Sequence, residues 1–226
     1  MPNESENTRP TISNIRKMLS QAEKGGVQNT IQNCVTVLQN DPILADSIRL
    51  NLLSERIDIV KPMGWQRSGP TLTDTDMMYI LRRMKKYGLY SEKRVSAAIR
   101  IVANENHYHP IRDYLNELKW DGTARISRAL HRFLGAAEDE LTTEALKIFL
   151  LGAIKRVFHP GCKFEMMLCL VGGQGAGKSS FFRLLAIKDE WFSDDLRRLD
   201  DDNVFRKLQG HWIMEMSEMI ATANAK

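Results

Sequence analysis

The sequence predicts an α/β protein, with a mainly helical N-terminal region followed by a domain built on a parallel sheet. Three observations carry this reading. Apolar residues recur at helical spacing through most of the chain before Pro160. The run Met166–Val171 is continuously apolar, the pattern of a strand buried on both faces. A glycine-rich loop then joins that run to a new helical pattern. The 226 residues suit one large domain or two small ones. The expected division is a polar, disordered arm at 1–10, a helical domain over 11–135, and an α/β part over 136–226.

The elements follow in order. Ile12, Ile15, Leu19 and Ala22 share a helical face that Gly25-Gly26 ends. Val27, Ile31, Val35 and Leu38 predict a second helix, closing near Asn40-Asp41-Pro42. Ser47–Leu52 and Ile57–Val60 alternate in part and predict a short hairpin, with a loop around Trp65 after it. Thr73 with Asp76 three residues on resembles a capping box for a helix through Met77, Ile80, Leu81 and Met84, closed by Gly88. Ser91 caps the next, which carries Val95, Ala98, Ile99 and Val102. His109-Pro110 opens a segment that turns at Trp120-Asp121-Gly122. A long helix over 141–158 stops at His159-Pro160-Gly161, where proline cannot continue it. Lys178–Leu185 predicts a helix after the glycine loop, and Trp212-Ile213-Met214 a second buried strand.

Composition excludes several classes. Hydrophobic residues make up 43% and charged residues 27%, which is globular and not disordered. No stretch approaches the roughly 18 apolar residues of a membrane span, and the polar start has no secretory core. Cys34, Cys162 and Cys169 are an odd, dispersed set that predicts free thiols in a reducing, cytoplasmic compartment. His107, His109, His131, His159 and His211 lack ligand spacing, so no zinc is expected. The net +4 is uneven: residues 1–135 hold 20 basic against 14 acidic side chains, and residues 136–226 hold 12 against 14. Nucleic-acid contact is therefore expected in the first part, at Arg82, Arg83, Lys85, Lys86, Arg94 and Arg100.

Gly172, Gly177, Lys178 and Ser179 satisfy the phosphate-binding pattern G-x-x-x-x-G-K-[ST]. Glycines let backbone amides wrap a phosphate, and the following helix points its positive end at the anion. The expected cradle is Gly172, Gly173, Gln174, Gly175, Ala176, Gly177, Lys178, Ser179 and Ser180, with ATP as ligand. Lys178 would bridge the terminal phosphates and Ser179 would hold Mg²⁺. Such a loop needs an acid at a neighbouring strand tip. Glu215, 37 residues after Lys178, is placed there as the second Mg²⁺ ligand, and Glu218 is placed to polarise the attacking water. Lys178, Glu215 and Glu218 are the expected catalytic residues. Asp194-Asp195 and Asp200–Asp202 are expected to cap helices.

The chain resembles the virulence-associated protein E family of phages and mobile elements. The resemblance rests on Asn104-Glu105-Asn106, on His109-Pro110 through Trp120-Asp121-Gly122, and on Pro160-Gly161-Cys162-Lys163. It continues through Gly173–Ser179, Trp191-Phe192 and Gly210–Glu218, running from about residue 45 to the end. It implies a RecA/AAA-like P-loop NTPase of helicase type, forming a homo-oligomeric ring and acting on single-stranded or forked DNA in replication. It also implies a polar sensor and an arginine finger beyond the acidic strand, so the ATPase domain is expected to be incomplete at Lys226 and slow in turnover. The other reading is a nucleic-acid- or partner-binding module with a vestigial phosphate loop and no turnover.

Overall fold

The computed structural model describes residues 10–196 and 204–216. The arm at 1–9, Arg197, Arg198, Asp200–Asp202 and Glu218 lie outside the described residues. The chain divides into two compact units, Met1–His109 and Pro110–Lys226. The boundary expected at 135 falls instead between two helices of the second unit.

The first unit comprises α1 (Ile12–Met18), α2 (Ile31–Asn40), β1 (Ile48–Asn51), β2 (Arg56–Ile59), α3 (Asp74–Met84) and α4 (Glu92–Glu105). All four helices start on a side-chain cap: Thr11, Thr30, Thr73 and Ser91 each accept an N–H from the first turn. Thr73 and Asp76 complete the reciprocal capping box. α1 ends before Ala22, and α2 begins after Val27, because Gln21 and Val27 pair as an isolated bridge across the glycine turn. The hairpin forms as expected, with Ile48 opposite Ile59 and Asn51 opposite Arg56. Tyr108 lies parallel beside Asn51, exchanging backbone hydrogen bonds with Leu50 and Leu52. Cys34, Val37 and Leu38 of α2 meet Val95, Ala98, Ile99 and Val102 of α4 in one apolar core with Ile48, Ile80 and Met84.

Two buried carboxylates tie this unit together. Asp41 follows α2 and is fully buried. It accepts from Arg83 Nε at 2.5 Å, from the Tyr87 hydroxyl, and from the Ile43 and Leu44 amides at 2.9 and 3.1 Å. Burial alone would raise its pKa; these hydrogen bonds outweigh that and hold it below the ordinary carboxylate value. Asp76 likewise takes the Trp65 indole N–H at 2.7 Å and Arg67 Nε at 2.8 Å, fixing the loop after β2 to the start of α3. Its pKa is pushed up by desolvation but depressed further by Arg67, Trp65 and Thr73. Arg83 therefore leaves the expected basic surface: its side chain is 15% exposed and neutralised by Asp41. Arg82, Lys85, Lys86, Arg94 and Arg100 remain exposed.

The second unit comprises α5 (Pro110–Glu117), α6 (Ile126–Leu134), α7 (Glu140–Phe158), α8 (Lys178–Leu185), β3 (Phe192–Ser193), α9 (Val204–Leu208) and β4 (Ile213–Met214). Pro110 opens α5 because a first-turn position needs no N–H donor. α6 was not expected, although Ile126, Ala129, Leu130 and Phe133 have helical spacing and Gly135 ends it in the left-handed region. α6 packs on α7, and Leu130, Leu146 and Phe181 form the local core.

The expected doubly buried strand Met166–Val171 is a correction. It forms no ladder among the described residues. Leu168 and Leu170 face the core, while Met167, Cys169 and Val171 are exposed, Val171 by 98%. A strand buried on both faces needs a layer on each side, and the described residues cover one face here. Among the described residues, the sheet of this unit is instead a two-stranded parallel pair, Phe192 opposite Ile213 and Ser193 opposite Met214. The architecture is thus mixed helix and strand with small sheets. Among the described residues, no helix is long and apolar enough to cross a membrane.

Breaking one partner of a buried, hydrogen-bonded ion pair typically costs about 3 kcal/mol, so Asp41→Asn should lower stability by that amount in urea unfolding. Both carboxyls titrate lower folded than unfolded. Their stabilisation is complete above roughly pH 4 and is lost as pH falls from there toward the folded pKa values. The acid limb of the stability profile should therefore be shallower in Asp41→Asn than in the parent.

Candidate functional site

The glycine loop bends through two left-handed residues, Gly175 at φ 79° and Gly177 at φ 84°. A side chain at either would be strained, and Gly177 is also the N-cap of α8. Gly172, Gly173, Gln174, Gly175 and Ala176 are all exposed, and a Cβ at Gly172 or Gly173 would meet nothing within 4 Å. The loop therefore offers open backbone at the N-terminus of a helix.

Lys178 bends back over this loop. Its Nζ donates to the carbonyls of Gly172 and Gly173, each at 2.8 Å. Ser179 Oγ donates to Glu215 Oε1 at 2.6 Å, across 36 residues of sequence. The other oxygen, Glu215 Oε2, is buried and has no hydrogen-bond partner among the described residues. A buried carboxylate oxygen without a donor is costly, and a bound cation is one way to satisfy it. The hydroxyl and carboxylate are hard oxygen donors of the kind Mg²⁺ takes. Lys178, Phe182, Met214 and Glu215 line a cavity of about 380 Å³ together with the Leu168–Gly172 segment.

Glu215 is positioned by the small parallel sheet. Its N–H donates to Ser193 O at 2.8 Å, and Trp212 N donates to Trp191 O at 2.8 Å, bracketing the β3–β4 pair. The sheet is anchored by aromatic contacts. Trp191 meets Tyr114 and Trp212 edge-on, with centroids 5.8 and 6.3 Å apart, and Trp212 Nε1 donates to Ala153 O of α7. The segment leading to the loop is held at Gly152, where a Cβ would lie 2.2 Å from Phe164 Cζ.

The structure brings together Lys178, Ser179 and Glu215, with Ser180 on the next face of α8. Asp194 lies 3.7 Å from the Arg183 guanidinium, with no cap of its own among the described hydrogen bonds. Sequence reasoning missed Ser193 and Phe164, which have no local pattern; Tyr114 fell within the stretch that carries the resemblance and Gly152 within the long helix, but neither was given this anchoring part. Trp191-Phe192 was visible, but a two-residue strand is too short for any periodicity. In the His107-Tyr108-His109 cluster, the Tyr108 hydroxyl donates to buried Asp58 at 2.7 Å, and burial followed by that carboxylate raises the phenol's pKa.

Residues 115–226 match the family model described as the virulence-associated protein E-like domain, a shorter span than the resemblance suggested. No curated protein matches the chain.

Replacing Gly152 by Val should expel the Phe164 ring and cost about 1–3 kcal/mol, the usual range for overpacking. Chemical unfolding measures it, and pairing the change with Phe164→Ala should recover part of the loss. Equal stability of Gly152→Val and parent would contradict this close approach.

Proposed function

From a chain that belongs, through residues 115–226, to the virulence-associated protein E-like family, we propose an ATP-binding, ATP-hydrolysing protein of helicase type. It acts on single-stranded or forked DNA in replication of a phage or mobile element, as a homo-oligomeric ring in the cytoplasm. The observation that carries this reading is the trio of Lys178, Ser179 and Glu215, with one Glu215 oxygen buried and without a partner among the described residues.

Each residue has a task set by its chemistry. Lys178 exchanges two neutral carbonyl acceptors for charged phosphate oxygens, which form stronger hydrogen bonds. The loop amides from Gly173 to Ser180 and the positive end of α8 hold the remaining phosphate charge. Ser179 and Glu215 would hold Mg²⁺, which when bound neutralises charge on the phosphates. Glu218, three residues beyond Glu215, keeps the proposed role of orienting the attacking water. A module that binds nucleotide without turnover is the other outcome of the same experiment.

Nucleotide titration and a turnover assay with Mg²⁺–ATP and single-stranded DNA test the reading. Lys178→Ala should abolish nucleotide binding with the fold intact. Glu215→Gln should retain binding and lose turnover by a factor of about 10² or more. Binding without turnover in the parent would favour the vestigial module, and equal affinity in Lys178→Ala would sink the phosphate-loop assignment.

DNA contact is proposed for exposed Arg82, Lys85, Lys86, Arg94 and Arg100. Each phosphate neutralised on a single strand contributes about 0.7 to the slope of log affinity against log salt. Arg82→Glu with Lys86→Glu should flatten that slope by about 1.4, read by fluorescence anisotropy across a salt series. An unchanged slope would make these residues a solvated helix face.

A further inference from the structure

The first turn of α8 stands between two cavities of different character. Lys178 and Phe182 line the one whose charged side chains are Lys178 and Glu215. Ser180 and Leu184, on another face of the same helix, line a second of about 470 Å³, walled by Ile126 and Phe133 of α6 and by Leu146 and Leu150 of α7. Gly177 and Ser180 belong both to the phosphate loop and to this second wall.

We propose that this apolar cavity receives the base of the nucleoside triphosphate whose phosphates the loop holds; the proposal rests on the phosphate-loop reading above. Such a ligand has one highly charged end and one flat, largely apolar end. The charged end belongs with Lys178, and the cavity begins where the loop becomes helix. The walls are aliphatic and aromatic, which suits a desolvated ring stacked by contact. Two of them are large apolar side chains held in water, Phe133 at 64% exposure and Leu184 at 76%, beside an apolar hollow. A ring seated there covers both. The polar side chains at the wall are those of Ser180 and Arg125, and Arg125 is engaged by Asp121 at 2.6 Å. Among the described residues, no side-chain amide or carboxylate lines the cavity to read the base edge. Recognition by stacking area follows, so ATP and GTP should bind alike.

The experiment compares Mg²⁺–ATP, Mg²⁺–GTP and Mg²⁺–tripolyphosphate by calorimetric titration of the full chain. ATP and GTP should bind within a few-fold of each other and about tenfold or more tighter than tripolyphosphate. Leu184→Gln and Phe133→Ala change exposed, uncharged positions, so each should weaken ATP about tenfold and leave tripolyphosphate unchanged. Equal affinity for ATP and tripolyphosphate in the parent, or no effect of either variant on ATP, overturns the base site alone. Parallel loss of both ligands in the variants also overturns it, as general damage to the fold. Lys178→Ala should lose all three ligands. If the parent binds none of them, the phosphate-loop reading falls, and the base site with it.

Discussion

The hydrogen bond from Ser179 Oγ to Glu215 Oε1 is the constraint on which the second unit turns. It joins the first residues of α8 to the end of β4, and neither element could set that distance alone. α8 is held by Phe181 in the core with Leu130 and Leu146. β4 is held by its two-residue ladder to β3, by Trp212 against Trp191, and by the indole hydrogen bond to Ala153. A two-residue ladder is weak by itself, since a strand ordinarily draws stability from its neighbours. The aromatic anchoring compensates: burying tryptophan surface outweighs what so short a ladder contributes. Glu215 Oε2, buried and without a partner among the described residues, is the cost of this arrangement.

The first unit solves a different problem with the same means. Its loops would leave charged groups inside, and it pairs them. Asp41 satisfies Arg83, Tyr87 and two amides, and Asp76 satisfies Trp65, Arg67 and the cap of α3. Each carboxylate is a hub connecting elements distant in sequence, so its protonation reaches several elements at once. The consequence for surface chemistry is subtraction. A cluster of basic residues in sequence is not a cluster of available charges, because Arg83 is consumed internally.

Much of the local structure was legible in the sequence, and for a physical reason. Helix caps are satisfied within three residues, so Thr73, Asp76 and Ser91 announced their helices directly. The hairpin showed through partial alternation, and the end of α7 through Pro160. The glycine loop and the helix after it were equally plain, since the glycines, Lys178 and Ser179 are contiguous. α6 was missed although its apolar spacing was present, because its start has no side-chain cap to mark it. The run Met166–Val171 was misread because continuous apolarity reports hydrophobicity and not which face is covered.

What the sequence determined by itself is therefore what depends on near neighbours: caps, turns and the place of the glycine loop before α8. Glu215 was singled out in the sequence at the end of a strand, but its contact with Ser179 depends on the β3–β4 register and on Trp191, Trp212 and Tyr114. The burial of Glu215 Oε2, the withdrawal of Arg83 and the apolar cavity beside Ser180 were likewise decided only by tertiary structure. Each depends on which side chains from remote segments exclude water from the same place. Local spacing carries no record of that, because desolvation is a property of the packed ensemble of neighbours and not of any one stretch of chain.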